Sequence, residues 1–450
     1  MSTRSLSRTV ALLPIAALAL LPGLAAAQSK WQNDAPGVVH KIDVAKLPAP
    51  FATPSARDFP RIVPKPDAAQ LKLPPGFKID VLTRDVDGPR VMRFAPNGDL
   101  FVAESNKGNV KVLHLSADGM SVTSSDTFVS GLTRPFGIQF YPAGANPAWV
   151  YISEMNRVMR YPYKVGDTKP SGEPETVVAQ LAGTIGGHST RDLVFSPDGK
   201  KMYVAVGSQS NVADAPESMP KKTPAEIKAW EAEHGVGATW GQEENRADVL
   251  VFDVGSNKPG KPFATGIRNC VGLAIQPGTG DLWCTGNERD ALGDNLVPDY
   301  STRVREGGFY GWPWYYMGDH EDPRHAGERP DLKGKTITPD VPYEAHSAAV
   351  GFAFYTVTSG RSAFPSDYVG DAFAVFHGSW NRADRTGHKI VRVPIKNGVP
   401  TGEYVDFLVG FITPDGQPWA RPASVTVAPD GALLMSDDDG DVIYRISYSK

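Results

Sequence analysis

The chain has 450 residues, 41% of them hydrophobic and 21% charged, with a formal net charge of −4. That is enough apolar material for a sizeable core, in one large domain or two or three ordinary ones. The near balance of charge, with no basic block anywhere, argues against nucleic acid as a partner.

The first 27 residues read as a secretory signal. Arg4 and Arg8 supply the positive start, Val10 to Leu21 is almost wholly apolar, and Ala25-Ala26-Ala27 offers a small-residue cleavage site. The apolar run is too short for a good membrane span, and no later segment supplies one. The expected mature protein is therefore exported, to a periplasm or beyond, without stable membrane insertion. Residues 28–72 are rich in Pro and Ala and read as an extended arm packed on the outside.

From residue 73 onward one unit recurs: apolar strand, tight Pro-Gly type turn, apolar strand. Phe94-Ala95-Pro96-Asn97-Gly98-Asp99-Leu100 is one copy, Phe195-Ser196-Pro197-Asp198-Gly199 another, and Val427-Ala428-Pro429-Asp430-Gly431 a third. Looser copies start at Phe140, Ile275 and Tyr368. Asn-Gly and Asp-Gly between apolar runs are strong hairpin signals. Six hairpins at these long spacings suit an all-β, six-bladed propeller of four-stranded antiparallel blades over 73–450; a two-sheet sandwich is the competitor. Residues 211–247 interrupt the repeat as a polar insertion. Within it, Thr223-Pro224-Ala225-Glu226 is a capping box that predicts a short helix from Pro224 to about Glu233, either a lid or a decoration.

The two cysteines, Cys270 and Cys284, flank the turn at Gly278-Thr279-Gly280. A symmetric hairpin there sets Cys270 opposite 288 and Cys284 opposite 274. The offset, about 13 Å along a strand, favours two free thiols over a bridge.

Polar groups cluster where strands begin. Gly186-Gly187-His188-Ser189-Thr190-Arg191-Asp192 precedes an apolar strand. His188 there is either a general base or an ordinary loop histidine, and Asp192 is the carboxylate that would orient it. Arg268 and Asn269 precede another strand and suit an anionic ligand. Arg134, Arg421, His346 and the run His377-Gly378-Ser379-Trp380-Asn381-Arg382 fall at corresponding points of other repeats. Propeller geometry brings such points to one mouth. The loop from Asn287-Glu288-Arg289-Asp290 to Gly293-Asp294 offers oxygens to a hard cation, or is a solvated acidic loop. Ser436 to Asp441 reads as a tight acidic turn. No dinucleotide fingerprint, phosphate loop or nucleophile elbow occurs.

Three motifs carry a family likeness: Gly187-His188 before a strand, Gly266-Ile267-Arg268-Asn269-Cys270-Val271-Gly272-Leu273, and Gly307-Gly308-Phe309-Tyr310-Gly311-Trp312-Pro313. From Leu73 to Ser447 the chain resembles the soluble quinoprotein glucose and L-sorbosone dehydrogenases, six-bladed propellers that use pyrroloquinoline quinone (PQQ) and calcium. The acidic loop looks closer to the sorbosone type. The resemblance implies that His188 is the base and that Arg268 lies near the reactive carbonyls of the quinone; Asp192, from the loop itself, completes the expected catalytic set. It implies that Arg134, Arg268, Asn269, Trp380, Arg382 and Arg421 surround the quinone, and that the loop of Asn287, Glu288 and Asp294 holds calcium. The glutamine over the site in glucose-type members is replaced around Leu132 to Arg134, and their cofactor lysine has Trp380 or Arg382 nearby instead. The implied reaction is oxidation of a sugar or sugar aldehyde, with electrons leaving to a periplasmic acceptor. A calcium-dependent propeller lactonase or esterase, or a non-catalytic carbohydrate-binding propeller, are the alternatives.

Overall fold

Alternation of side chains along each strand dictates the architecture. In the strand Leu100–Glu104, Leu100 and Val102 pack into an apolar cluster shared with the last blade, while Phe101 and Ala103 pack into one shared with the second. Lys201–Val206 repeats the pattern, with Tyr203 and Ala205 on one side and Met202, Val204 and Val206 on the other. A strand apolar on both faces needs a sheet on each side, and a ring of blades supplies this without free faces. The computed structural model, which describes residues 31–67 and 69–449, shows six such blades. The expected leader, residues 1–27, lies outside the described residues.

The blades begin at Pro89, Ile138, Leu193, Cys270, Ala349 and Pro422, each with its innermost strand first. The six hairpins read from sequence are the turns between first and second strands. Phe77–Thr83 adds to the outer edge of the last blade, beside Val442–Tyr448, and so joins the chain's beginning to its end. Near the axis, Asp192 ties three innermost strands together. It accepts from the backbone of Leu193 and Leu273, both at 3.0 Å, and pairs with Arg93 at 3.2 Å.

The arm runs from the outer edge of the fifth blade to the loops of the mouth, where Phe51 donates to the Leu292 carbonyl. Val39–His40 pairs with Tyr404 and Val405, and Asp34 and Asp406 each stand 2.8 Å from the buried Lys389 ammonium. The insertion carries the expected helix, Pro224–His234, with both halves of its capping box formed. Among the described residues no helix is long and apolar enough to cross a membrane.

One expectation fails. Cys270 and Cys284 form a disulfide, with Cα atoms 5.8 Å apart. The hairpin register places Leu273 opposite Cys284, and a bulge between Cys270 and Gly272 then puts Cys270 opposite Gly286. The real offset is two residues on the same face, within a bridge's reach. A symmetric turn without a bulge misplaced it.

Candidate active site

The segments leading into the innermost strands all open at one mouth. There they meet the segments leaving the second strands. Two adjoining cavities result, of about 340 and 230 Å³, and His377 and Arg421 line both. The larger gathers His188 from the third blade, Arg268, Asn269, Asp290 and Asp299 from the fourth, and His346, His377 and Trp380 from the fifth.

His188 is held by its own blade. Gly186 and Gly187 adopt positive φ, and a Cβ on Gly187 would lie 2.4 Å from the Gln209 carbonyl. Only glycine lets the loop press this close. The ring Nδ1 stands 2.8 Å from the Ser208 carbonyl and 3.0 Å from its hydroxyl. A carbonyl only accepts, so Nδ1 carries the proton and the Nε2 lone pair is left to take another. Burial, then the Arg268 charge, pushes the His188 pKa down to about 3, so the ring is neutral near pH 7. Gly207 makes the arrangement possible: a Cβ there would sit 2.3 Å from Asn269 Oδ1 and 2.7 Å from His188 Cβ.

Arg268 is fixed from several directions. It donates to the Asn211 carbonyl at 3.1 Å, the Asn211 side chain at 3.0 Å and the Glu288 carbonyl at 2.7 Å, and pairs with Asp290 at 3.1 Å. Asn211 thereby ties the start of the insertion to the cavity wall. Burial raises the Asp290 pKa, but Arg268 and His346 outweigh it and keep the carboxylate ionised. Asp299 has no arginine paired with it, and His346 pulls on it only weakly against burial. Burial pushes its pKa up to about 7, although it accepts from the backbone of Glu288 and Ala348.

With this constellation in place, comparison with known proteins is decisive about kinship. The TrAA12-like family model matches residues 71–304 and 327–449. The chain belongs to the TrAA12-like family. It superposes on the PQQ domain of pyranose dehydrogenase from Coprinopsis cinerea with a TM-score of 0.67 at 20% identity, over 85% of this chain and 98% of that one. The PQQ-bound aldose sugar dehydrogenase of Streptomyces coelicolor gives a TM-score of 0.55 at 16% identity, over 86% and 100%. An uncharacterized protein of Borreliella burgdorferi is 26% identical over 84% of this chain and 91% of its own.

In this TrAA12-like chain not every expected residue reaches the larger cavity. His188, Arg268, Asn269, Asn287, Glu288, Trp380 and Arg421 do. Trp380 also stacks on Phe59 of the arm, ring centres 5.0 Å apart. Asp192 does not orient His188: it is buried by the axis on Arg93 and the strand backbones, and Ser208 fills the role expected of it. Arg382 turns beneath the wall to Glu344, 2.8 Å away. Arg134 lines the smaller cavity instead. Of the residues expected at calcium, Asn287 and Glu288 line the larger cavity. The Glu288 carbonyl accepts from Arg268 and the Glu288 carboxylate pairs with Arg289 at 3.0 Å. Asp294 stands outside the cavity lining, its backbone bonded to Thr53 of the arm. The Arg268 charge beside these oxygens repels a second cation there.

The walls do suit a flat tricarboxylic acid. Arg421 carries a buried Nε–H that has no partner, beside a cavity with a second arginine and an indole in its wall. A buried unpaired guanidinium N–H is costly unless a ligand oxygen meets it. Ser208, Gly207, Asn211 and Asp299 escaped the sequence reading. Only the phase of Gly207-Ser208, at the end of a second strand, hinted at a place near the mouth.

Proposed function

We propose that this protein is an exported dehydrogenase that oxidises a sugar or sugar aldehyde, of the aldose or L-sorbosone type, with PQQ as the electron-accepting cofactor. The observation that carries the reading is His188, locked with its Nε2 lone pair free, in a cavity shared with Arg268, Asn269 and the unpaired Nε–H of Arg421. The pyranose and aldose sugar dehydrogenases that share the fold are, by their names, PQQ proteins, and this supports the reading.

Bound PQQ would supply a hydride acceptor. His188 takes the proton of the substrate hydroxyl at Nε2, and the Ser208 carbonyl, bonded to Nδ1–H, steadies the imidazolium that forms. Arg421 and Arg268 would hold carboxylate and carbonyl oxygens of the cofactor, and Trp380 one of its flat faces. Asp290 keeps Arg268 aimed. No step is assigned to calcium. Export would follow if the expected leader acts, and a periplasmic acceptor would then take the electrons.

The test is reconstitution of the mature protein with PQQ, with and without calcium, followed by dye reduction across neutral aldoses, sorbosone and sugar acids. Turnover that requires PQQ supports the proposal. Absence of both a spectral change and dye reduction with every substrate refutes it. Amino-terminal sequencing of protein from a periplasmic extract tests export, with Gln28 the expected first residue.

A further inference from the structure

The smaller cavity, of about 230 Å³, takes its charged walls from the last, first and second blades. Three arginines and two aspartates line it, and the pairing leaves one charge over. Arg90 stands 2.5 Å from Asp438 and packs over Phe136. Arg421 stands 3.2 Å from Asp439. Arg134 is exposed, and no hydrogen bond or ion pair reaches its guanidinium among the described residues.

Nor is Arg134 a loosely hung surface residue. Its φ is +51°, a region that side-chain-bearing residues adopt at a cost of about 1–2 kcal/mol. The flanking chain enforces it. Thr133 donates from its backbone to Glu154 at 2.6 Å and accepts from Met155 at 3.0 Å. The Pro135 carbonyl accepts from the Ser105 hydroxyl at 2.5 Å, and Phe136 donates to the Ser153 carbonyl at 2.9 Å. The Glu154 carboxylate is itself engaged by Arg157 at 2.6 Å, so it does not neutralise Arg134. Strain that the surroundings over-determine is a mark of functional positions. Here it presents a forked cation, without an anion, to a space about the size of one sugar ring, next to the cavity of His188.

We propose that the substrate is a sugar acid, with its carboxylate on Arg134 and its oxidised carbon in the adjoining cavity. The inference rests on the dehydrogenase reading of His188. It assigns Arg134 to substrate selection rather than to the cofactor. Asn106 and Ser189 also line this cavity and would offer hydrogen bonds to hydroxyls of the ring.

Two measurements on the full mature chain test it. Calorimetry with methyl glucuronide and methyl glucoside, neither of which can be oxidised at its blocked carbon, reads binding without turnover. The glucuronide should bind about 10- to 100-fold more tightly, the range a charge-assisted pair supplies, and Arg134→Gln should abolish the difference. With PQQ-loaded protein, the ratio of kcat/KM for glucuronate over glucose should fall by a similar factor in Arg134→Gln and partly recover in Arg134→Lys. Equal binding of the two glycosides overturns the proposal. So does an Arg134→Gln variant whose PQQ affinity falls while the sugar ratio stays put. If no sugar reduces dye, the dehydrogenase reading fails, and the calorimetric preference still decides the carboxylate site.

Discussion

The two sides of the mouth are built on opposite principles. Around His188 most charges are matched within the chain: Arg268 with Asp290, Arg289 with Glu288, and His346 beside Asp290 at 3.6 Å, while Asp299 is held by backbone N–H groups. Around Arg134 a guanidinium is held in strained backbone and left unmatched. Internal pairing fixes groups that must not move during a reaction, since preorganised dipoles need no rearrangement at the transition state. An unmatched charge is instead available to whatever arrives. The contrast separates a side built for chemistry from a side built for choice.

The comparison can be broken most forcefully at His188. His188→Ala should lower kcat by about 10²–10⁴, the usual worth of a general base, while PQQ binding measured by spectral titration persists. Turnover that survives would remove the chemical side from the scheme. The next largest effect concerns the staple behind it. Cys270 directly follows Asn269, and the bridge closes a loop of 14 residues. Its loss in Cys270→Ser with Cys284→Ser should reduce unfolding free energy by about 3 kcal/mol, read by denaturant titration. Gly207→Ala should cost about 1–3 kcal/mol through overpacking against Asn269 and His188, seen as a fall in kcat with intact secondary structure. An alanine variant with normal kcat would mean that the close packing is incidental.

The smallest effect is an absence. An ordinary histidine base loses activity as pH falls through about 6.5. Burial and Arg268 lower the His188 pKa to about 3, against the smaller opposing pull of Asp290. The neutral form therefore persists into acid, and kcat/KM should show no limb from His188 between pH 7 and pH 5. Arg268→Gln, which removes one depressing charge, should move that limb upward. The same shift makes the fold less stable in acid. The unfolded histidine binds a proton below about 6.5 and the folded one does not, so this contribution falls as the pH drops from about 6.5 towards 3.

The blade count and the membership of the mouth were legible because both follow from period and phase. The turns at Asn97-Gly98, Asp198-Gly199 and Asp430-Gly431 mark strand ends, and whatever precedes an innermost strand must face the mouth. Side-chain aim was not legible. Asp192 has the phase of a mouth residue, yet its carboxylate caps a strand near the axis, where unpaired N–H groups attract it. Glu288 sits in the right loop but turns to Arg289, a partner one residue away that phase arguments ignore. The bulge behind Cys270 leaves no trace in composition, and together with a one-residue shift of the turn it decided the pairing of the cysteines.

The strand Phe77–Thr83, zipped to the last strand of the chain, has a further consequence for how the molecule is made. Arg421 and Asp438 belong to the blade that this strand completes. Neither side of the mouth is therefore finished until the final residues have been synthesised and, if the leader acts as expected, moved out of the cell. A chain cut short before residue 422 would lose the clasp of the ring as well as one blade. Contacts between such distant segments form late and slowly. The mouth should thus take shape in one step, at ring closure.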